Sequence, residues 1–163
     1  MRYRYLVPGD DFSMAGKASA EVKRILGQLG IDPGIVKRVS VAMYEAEINM
    51  AIHAGGGVAE ADISPERIVV TMTDEGPGIS DIDLAMTEGY STAPEWIREL
   101  GFGAGMGLPN MKRNADEFGI ESEVGRGTKV TMLIRLSAAK PEASADAAPA
   151  AALDGGAAGR KAP

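Results

Sequence analysis

A glycine-rich run that leads directly into a predicted helix constrains this chain more than any other segment. Residues 101–107 read Gly-Phe-Gly-Ala-Gly-Met-Gly, and the predicted helix follows at Leu108. Alternating glycines leave the backbone N–H groups uncovered, and the N-terminus of the helix adds a partial positive charge. This combination forms an anion-binding nest and is suited to a polyphosphate ligand.

The run does not match the two best-known phosphate-binding patterns. It is not a P-loop, because no Gly-Lys-Ser/Thr follows it, and it is not a Rossmann fingerprint, because no strand precedes it. A flexible linker is the simpler alternative. The position of the run, between a lid-like irregular stretch and a helix, favours a ligand-binding role instead.

The residue composition excludes several kinds of catalytic site. The chain has 163 residues, no Cys and one His. Thiolate metal sites and thiol nucleophiles are therefore excluded, and a zinc site or a Ser–His relay is hard to assemble from one His. A carboxylate–metal site remains open. The length predicts one domain that can bury a core without disulfides.

The charge and hydropathy patterns narrow the partners. Lys and Arg number 17 and Asp and Glu number 23, which gives a net charge of −6 with no basic stripe. Direct binding of nucleic acid is therefore disfavoured. No apolar run approaches the roughly 18 residues of a membrane span, and the N-terminus has no signal-peptide pattern. We expect a cytoplasmic protein that does not bind membranes.

The composition changes at Ser137. Residues 137–163 are rich in Ala, Pro and Gly and contain almost no large apolar side chain. Such a segment cannot bury enough surface to offset its chain entropy. We therefore predict a folded domain at residues 1–136 and a disordered tail at residues 137–163.

The hydrophobic spacing of the folded part predicts helices and strands in blocks. This arrangement favours an α+β fold, a two-layer sandwich whose mostly antiparallel sheet carries helices on one face. The predicted elements are a strand at Arg2–Val7, a helix capped by Ser13 and stopped at Gly30, a helix from Asp32-Pro33 to about His53, a hairpin of Val58–Ile63 and Arg67–Thr73, a helix at Leu108–Phe118, and a hairpin of Ile120–Val124 and Thr128–Leu136.

Three polar residues recur at a spacing of four on the second predicted helix. Glu45, Asn49 and His53 share one face of that helix. The Asn oxygen can ligate Mg²⁺, and the Glu can orient or deprotonate an attacking hydroxyl. The alternative is a polar stripe that faces solvent. Small neighbours, such as Ala42 and Ala46, favour the functional interpretation.

Two further motifs suit the recognition of a flat base. Asp74-Glu75-Gly76-Pro77-Gly78 follows an apolar strand, and its carboxylate can accept a hydrogen bond from an exocyclic amine such as that of adenine. The two glycines allow a flat group to approach the backbone. Thr128, after Gly127, has a hydroxyl that could bind a base edge or a bridging water. An ordinary acidic turn and an ordinary strand residue are the alternatives.

The four motifs together resemble the GHKL ATPase superfamily, which contains the nucleotide-binding domains of gyrase, Hsp90, MutL and histidine kinases. The resemblance spans roughly residues 10–136 and implies the Bergerat ATP-binding fold. The small chain is most similar to the anti-sigma factor serine kinases within that superfamily. The motifs that carry the resemblance are Glu45-x-x-x-Asn49-x-x-x-His53-Ala54, Asp74-x-Gly76-x-Gly78, Gly103-x-Gly105-x-Gly107-Leu108 and Gly125-x-Gly127-Thr128.

The resemblance implies a role for each motif residue. Glu45 would be the catalytic base, Asn49 the Mg²⁺ ligand, and Asp74 the residue that binds the adenine amine, with Thr128 assisting through water. Gly103, Gly105 and Gly107 would form the hinge of an ATP lid at about residues 85–106 and would wrap the phosphates. The lid contains four candidate contacts to a partner protein, namely Thr87, Ser91, Trp96 and Arg98. The other residues expected to bind ATP are His53, Gly76, Gly78, Ile79, Gly103, Gly105, Met106, Gly107 and Leu108.

The function implied by the resemblance is that of an ATP- and Mg²⁺-dependent serine/threonine protein kinase. It would act as an anti-sigma factor that holds a sigma factor or an anti-anti-sigma (STAS-type) protein according to its ATP or ADP state, and it could form a homodimer. Two alternatives stay open: a nucleotide-sensing module without catalysis, and a catalytic domain that phosphorylates a His on another chain. The run of three glycines at Gly55–Gly57 and the tail depart from the family pattern.

Overall fold

Five strands form a single sheet in the computed structural model, which describes residues 1–9, 14–99 and 101–136. The strand order is β1-β2-β3-β5-β4, and each pairing is antiparallel. The elements are β1 (Arg2–Pro8), α1 (Lys17–Gln28), α2 (Pro33–Asn49), a π-helical turn (Met50–Ala54), β2 (Gly56–Ile63), β3 (Arg67–Thr73), α3 (Ile82–Ala85), α4 (Glu95–Glu99), α5 (Gly107–Asn114), β4 (Glu117–Glu123) and β5 (Gly127–Arg135).

Alternate side chains of the three central strands are buried on one face of the sheet. Val70 of β3 and Met132 of β5 are paired in register and fully buried. Thr71 and Thr131, also paired, point to the opposite face and are partly exposed. Helices α1 and α2 complete the core from the first face with Val22, Leu26, Val39 and Met43. The predicted two-layer α+β fold is confirmed.

The connection between α1 and α2 forms as its residue types predict. Gly30 adopts a left-handed φ of 71°, and the N–H of Ile31 bonds to the Leu26 carbonyl to close the end of α1. The Asp32 carboxylate then accepts hydrogen bonds from the N–H groups of Gly34 and Ile35. This N-cap, with Pro33 as the first helical residue, starts α2. The predicted stop and start are both confirmed.

The predicted start of the first helix is wrong. Ser13 lies outside the described residues, and α1 begins at Lys17 after Gly16, whose φ is 92°. Gly16 has no side chain that could cap the helix, so a residue distant in sequence supplies the cap. The carboxylate of Glu47, on α2, accepts hydrogen bonds from the N–H groups of Gly16, Ala18 and Ser19.

The predicted end of the last helix is also wrong. Helix α5 ends at Asn114, and Phe118 lies in β4, where it packs partly buried against the core. The Asp116 carboxylate stabilises the extended chain between the two elements by accepting hydrogen bonds from Arg38 and from the backbone N–H of Arg135. Both partners are distant in sequence, so helical spacing alone overextends this helix. Strand β4 consequently begins before the predicted Ile120.

The remaining boundaries agree with prediction to within one or two residues. The α-helical hydrogen bonding of α2 ends at Asn49, and the π-helical turn carries the chain through His53 to Ala54. The predicted tail at residues 137–163 lies outside the described residues, so the domain boundary remains a prediction. Among the residues that the structure describes, none of the helices combines the length and apolar character needed to cross a membrane.

Candidate functional site

A cavity of about 520 Å³ opens between α2, the start of α5 and the segment that follows β3. This volume lies in the usual range for small-molecule sites. Of the predicted site residues, Gly76 does not line the cavity. The others do: Glu45, Asn49, His53, Asp74, Gly78, Ile79, Gly103, Gly105, Met106, Gly107, Leu108 and Thr128. Residues far apart in the chain therefore meet at one site.

The polar face of α2 forms one wall of the cavity. Glu45 and Asn49 lie one helical turn apart and both are partly buried. The Nδ2 of Asn110, on α5, donates a hydrogen bond of 2.8 Å to the Oε1 of Glu45. The first residue of α5, Gly107, lies against Asn49, since a Cβ at Gly107 would be 3.0 Å from the Asn49 amide atoms.

His53 lies farther along the same wall, in the π-helical turn. It lines the cavity and is exposed to solvent. Partial burial of the imidazole lowers the pKa of His53 below its ordinary value of 6.5. The ring is therefore neutral at pH 7, and its nitrogens can serve as one donor and one acceptor.

Asp74 lines the cavity beyond His53, since a Cβ at Gly76 would lie 2.6 Å from the Ala54 Cβ and 3.0 Å from the Asp74 Oδ1. Two hydrogen bonds hold the carboxylate in one orientation. Its Oδ1 accepts hydrogen bonds from the N–H of Gly76 at 2.9 Å and from the N–H of Thr128 at 3.1 Å. Both bonds end on the same oxygen, and no hydrogen bond within residues 1–9, 14–99 and 101–136 reaches Oδ2. This oxygen can therefore accept a bond from a ligand. Gly76 thus acts on the carboxylate from outside the cavity.

Close backbone approaches around Asp74 require glycine at two positions. Gly78 has a φ of 74°, and a Cβ there would lie 2.2 Å from the Glu123 carbonyl oxygen. Gly127 has a φ of 104°, and a Cβ there would lie 2.0 Å from the Asp74 carbonyl oxygen. The turn after β3 and the turn before β5 therefore meet backbone to backbone.

Ser122 connects these two turns, and the sequence motifs did not predict it. Its Oγ accepts a 2.8 Å hydrogen bond from the N–H of Ile79 and lies 2.8 Å from the Oγ1 of Thr128. It also donates to the Gly127 carbonyl at 3.0 Å. Ser122 pairs with Thr128 across β4 and β5. The strand alternation places it there, but nothing in its sequence neighbourhood marks it.

The segment between α3 and α5 folds over the cavity as a small packed unit. Ala93 and Ile97 are almost fully buried within it. Gly103 and Gly105 have left-handed φ values of 70° and 75°, and a Cβ at Gly103 would lie 2.4 Å from the Cβ of Ala93. The N–H of Gly89 bonds to the Gly105 carbonyl and closes the segment. The two glycines therefore allow this segment, the lid, to pack closely against the residues that join it to α5.

The predicted partner-contacting residues of the lid have different positions. Arg98 donates hydrogen bonds to the Ala93 and Ser91 carbonyls, and the Thr87 hydroxyl donates to the Asp83 carbonyl. These side chains are engaged within the lid. Ser91 lines the cavity, and Trp96 is 54% exposed on the lid surface. Other lining residues that the motifs did not predict are Tyr44, Leu84, Tyr90, Thr92 and Phe102.

The chemistry of the lining residues fits a magnesium nucleotide. Mg²⁺ prefers oxygen ligands, keeps several waters and takes much of its coordination from substrate phosphates, so one amide oxygen from Asn49 suits it. Within the described residues there is no cluster of three or more His, Cys, Asp or Glu side chains that could hold a metal alone. The glycine backbone and the N-terminus of α5 suit phosphate oxygens, and Asp74 suits an amine.

Comparisons with known proteins identify relatives of this chain. The family model of the histidine kinase-like ATPase domain matches residues 11–134. An anti-sigma F factor from Pasteuria penetrans is 33% identical over 109 residues, which cover 63% of this chain and 69% of that protein. The serine/threonine-protein kinase RsbT from Bacillus subtilis is 32% identical over 112 residues, which cover 66% of this chain and 78% of that protein.

A solved structure shares the fold. The crystal structure of the RsbU and RsbW domains of a Mycobacterium tuberculosis protein superimposes with a TM-score of 0.58 at 17% identity. The match covers 83% of this chain and 32% of that one. At this identity the likeness concerns the arrangement of helices and strands.

Proposed function

The chain belongs to the histidine kinase-like ATPase family, and from this premise we propose that it is an ATP-dependent serine/threonine protein kinase that acts as an anti-sigma factor. Relatives at about one-third identity are named anti-sigma F factor and serine/threonine-protein kinase. Both descriptions fit an enzyme that binds a nucleotide in this cavity and acts on a protein partner.

One observation carries the proposal. A possible base and a possible Mg²⁺ ligand lie on one wall of the cavity, and a fixed carboxylate that suits adenine also lines it. The glycine-rich hinge and the N-terminus of α5 lie along the same cavity. Glu45, Asn49 and His53 follow one another along this wall, and the turn that carries Asp74 reaches the wall at Ala54, beyond His53. This order would suit an acceptor hydroxyl, the phosphates and the base in turn.

The proposed mechanism assigns a role to each wall of the cavity. The Oδ2 of Asp74 accepts a hydrogen bond from the adenine amine, with the Thr128 hydroxyl beside it. The backbone N–H groups of Gly103, Gly105 and Gly107 bind phosphate oxygens. Asn49 would hold Mg²⁺, which would supply positive charge to neutralise the phosphates. Together these contacts would hold the nucleotide in place for attack by the acceptor hydroxyl.

The chemical step needs one proton acceptor. The acceptor Ser hydroxyl of the partner attacks the γ-phosphorus, the bond to the β–γ bridging oxygen breaks, and ADP leaves. Glu45 takes the proton of the hydroxyl, and its own contact with Asn110 leaves the Oε2 atom for this purpose. Water is kept from the phosphates by the lid, which limits hydrolysis of ATP.

The names of the relatives support a proposal for the class of partner protein. We propose that the phosphate acceptor is a Ser-bearing protein of the anti-anti-sigma kind and that the alternative partner is a sigma factor. The lid contributes directly to the cavity, through Tyr90, Ser91 and Thr92. A change from ATP to ADP therefore changes what the lid contacts, and the lid surface presented to a partner changes with it.

The proposal is tested by incubating the protein with Mg²⁺, radiolabelled ATP and a candidate anti-anti-sigma protein. We expect acid-stable phosphoserine on the partner, dependent on Mg²⁺ and lost when the acceptor Ser is replaced by Ala. Binding of ATP without transfer would instead support a nucleotide-sensing module. An acid-labile phosphohistidine on the partner would support the third function considered from the sequence.

A further inference from the structure

Among the hydrogen bonds of the described residues, one joins the proposed base to a side chain that does not line the cavity. That side chain is Asn110. Its Nδ2 donates to the Oε1 of Glu45 at 2.8 Å across the interface of α5 and α2. Asn110 is partly buried, and Glu45 lines the cavity whereas Asn110 does not. Asn110 therefore contacts Glu45 without lining the cavity itself.

One turn of α5 contacts one turn of α2. Gly107, at the start of α5, lies against the Asn49 amide, and Asn110, three residues later, contacts Glu45, four residues before Asn49. Residues at these spacings lie on one face of each helix. One turn of α5 thus supports both polar side chains of α2 that the proposed mechanism uses.

The hydrogen bond restricts the carboxylate in a way that favours catalysis. A Glu side chain on a helix surface has several rotamers, and a base acts only where it lies within hydrogen-bond reach of the proton it takes. A charge-assisted bond to Oε1 selects one rotamer and leaves Oε2 for the substrate. A side-chain amide suits this purpose, because near neutral pH it neither takes up nor releases a proton and therefore does not compete with Glu45 as the base.

We propose that Asn110 is the positioning residue of the catalytic base. Helix α5 begins directly after the glycine hinge of the lid, so the bond also connects Glu45 to the segment that holds the phosphates. This inference rests on the proposed kinase function. It adds that the hydrogen bond from Asn110 connects the hinge to the base. Loss of the Asn110 amide should then slow phosphate transfer without weakening the binding of ATP.

The test compares four variants by single-turnover phosphate transfer and by ATP affinity. Asn110→Ala removes the donor. Asn110→Asp keeps the shape and replaces the donor with a second acceptor facing Glu45. Asn114→Ala is the matched control, because Asn114 lies one turn further along α5 and its Nδ2 bonds to the Asn110 carbonyl at 2.8 Å rather than to Glu45. Glu45→Gln defines the rate without the base.

We expect Asn110→Ala to reduce the transfer rate by about tenfold or more, as a fraction of the roughly hundredfold or larger contribution of a general base. Asn110→Asp should reduce the transfer rate by at least the same factor. ATP affinity and the KM for the partner should stay within about twofold for both variants, because Asn110 does not line the cavity. Asn114→Ala should transfer phosphate within about twofold of the wild-type rate.

A double-variant cycle separates positioning from a general structural effect. If Asn110 acts through Glu45, Asn110→Ala should cost almost nothing further in the Glu45→Gln background. An equal cost in both backgrounds would overturn the inference, and so would a wild-type rate for Asn110→Ala and Asn110→Asp while Glu45→Gln is slow. A wild-type rate for Glu45→Gln itself would instead overturn the base assignment, and with it this inference.

Discussion

Glu45 and Glu47 stand two residues apart on α2 and serve opposite sides of the helix. Glu45 lines the cavity and accepts a hydrogen bond from Asn110, whereas Glu47 is 1% exposed and binds the N-terminus of α1. The Oε1 of Glu47 accepts from Ser19 N–H at 2.6 Å, and its Oε2 accepts from Gly16 and Ala18. The first carboxylate is the proposed catalytic base, whereas the second stabilises the start of α1.

The first prediction follows from this difference. Glu47→Gln should lower the free energy of unfolding by about 2–3 kcal/mol, because it replaces a charged acceptor of buried N–H groups with a neutral amide that presents one donor end. Glu45→Gln should change stability by less than about 1 kcal/mol. Urea denaturation of the two variants measures both values. Equal destabilisation would contradict the separate roles.

A second prediction concerns the adenine end of the cavity. Asp74→Asn keeps an oxygen for Gly76 and Thr128 N–H but removes the charge that a bound amine would meet. Since a charged hydrogen bond contributes about 1.5–3 kcal/mol, ATP affinity should fall roughly tenfold to a hundredfold. Calorimetric titration with ATP measures this. Asp62→Asn, at the far end of β2, is the control and should bind ATP normally.

Unchanged affinity of Asp74→Asn would place the adenine elsewhere in the cavity. Equal weakening in Asp74→Asn and in the Asp62→Asn control would point to net charge rather than to a specific contact. The thermal stability of Asp74→Asn should remain close to that of the wild type, because the backbone bonds to Oδ1 are kept.

A third prediction compares two glycines of one turn. Gly125 and Gly127 both have left-handed φ values, but a Cβ at Gly125 meets nothing within 4 Å, whereas one at Gly127 would lie 2.0 Å from the Asp74 carbonyl oxygen. Gly125→Ala should cost about 1–2 kcal/mol of stability from backbone strain alone. Gly127→Ala should cost about 3 kcal/mol or more, since strain and overlap with the backbone add.

Gly127→Ala should also weaken ATP binding, because the chain must shift away from Asp74. Urea denaturation and ATP titration of the two variants test this pair. Similar stability losses in both variants would show that the close approach of the two turns is not maintained in solution.

The fourth prediction is a pH dependence. Partial burial lowers the pKa of His53 in the folded protein, so between the folded pKa and about 6.5 the unfolded chain binds more protons. His53 therefore contributes stability above about pH 6.5 that is lost as the pH falls toward its folded pKa. In His53→Gln the fall in unfolding free energy between pH 7 and pH 5 should be smaller. An identical fall in both proteins would contradict this.

The sequence predicted the elements whose signals are local. Asp32-Pro33 starts α2 and Gly30 ends α1 through contacts within a few residues, and the alternation of Val70 and Met72 defines a strand face. The family resemblance carried by the motifs predicted which residues meet at one cavity, with the exception of Gly76. The catalytic and binding roles of those residues remain predictions.

Contacts between distant residues explain what could not be predicted. The start of α1 depends on Glu47, about thirty residues from Gly16, and neither residue type signals that pairing. Asn110 and Ser122 have ordinary neighbours in sequence and gain their importance only from Glu45 and Thr128 across the fold. Side chains of this kind appear only after the packing is known.

The rate of phosphate transfer by Glu45→Gln tests the central claim most directly. At saturating Mg²⁺ and ATP, and with one anti-anti-sigma partner, the variant should transfer phosphate about 10²–10⁴-fold more slowly than the wild type, while still binding ATP. Glu66→Gln, which removes an equal charge in the turn between β2 and β3, should react at the wild-type rate. Transfer by Glu45→Gln at the wild-type rate would contradict the account.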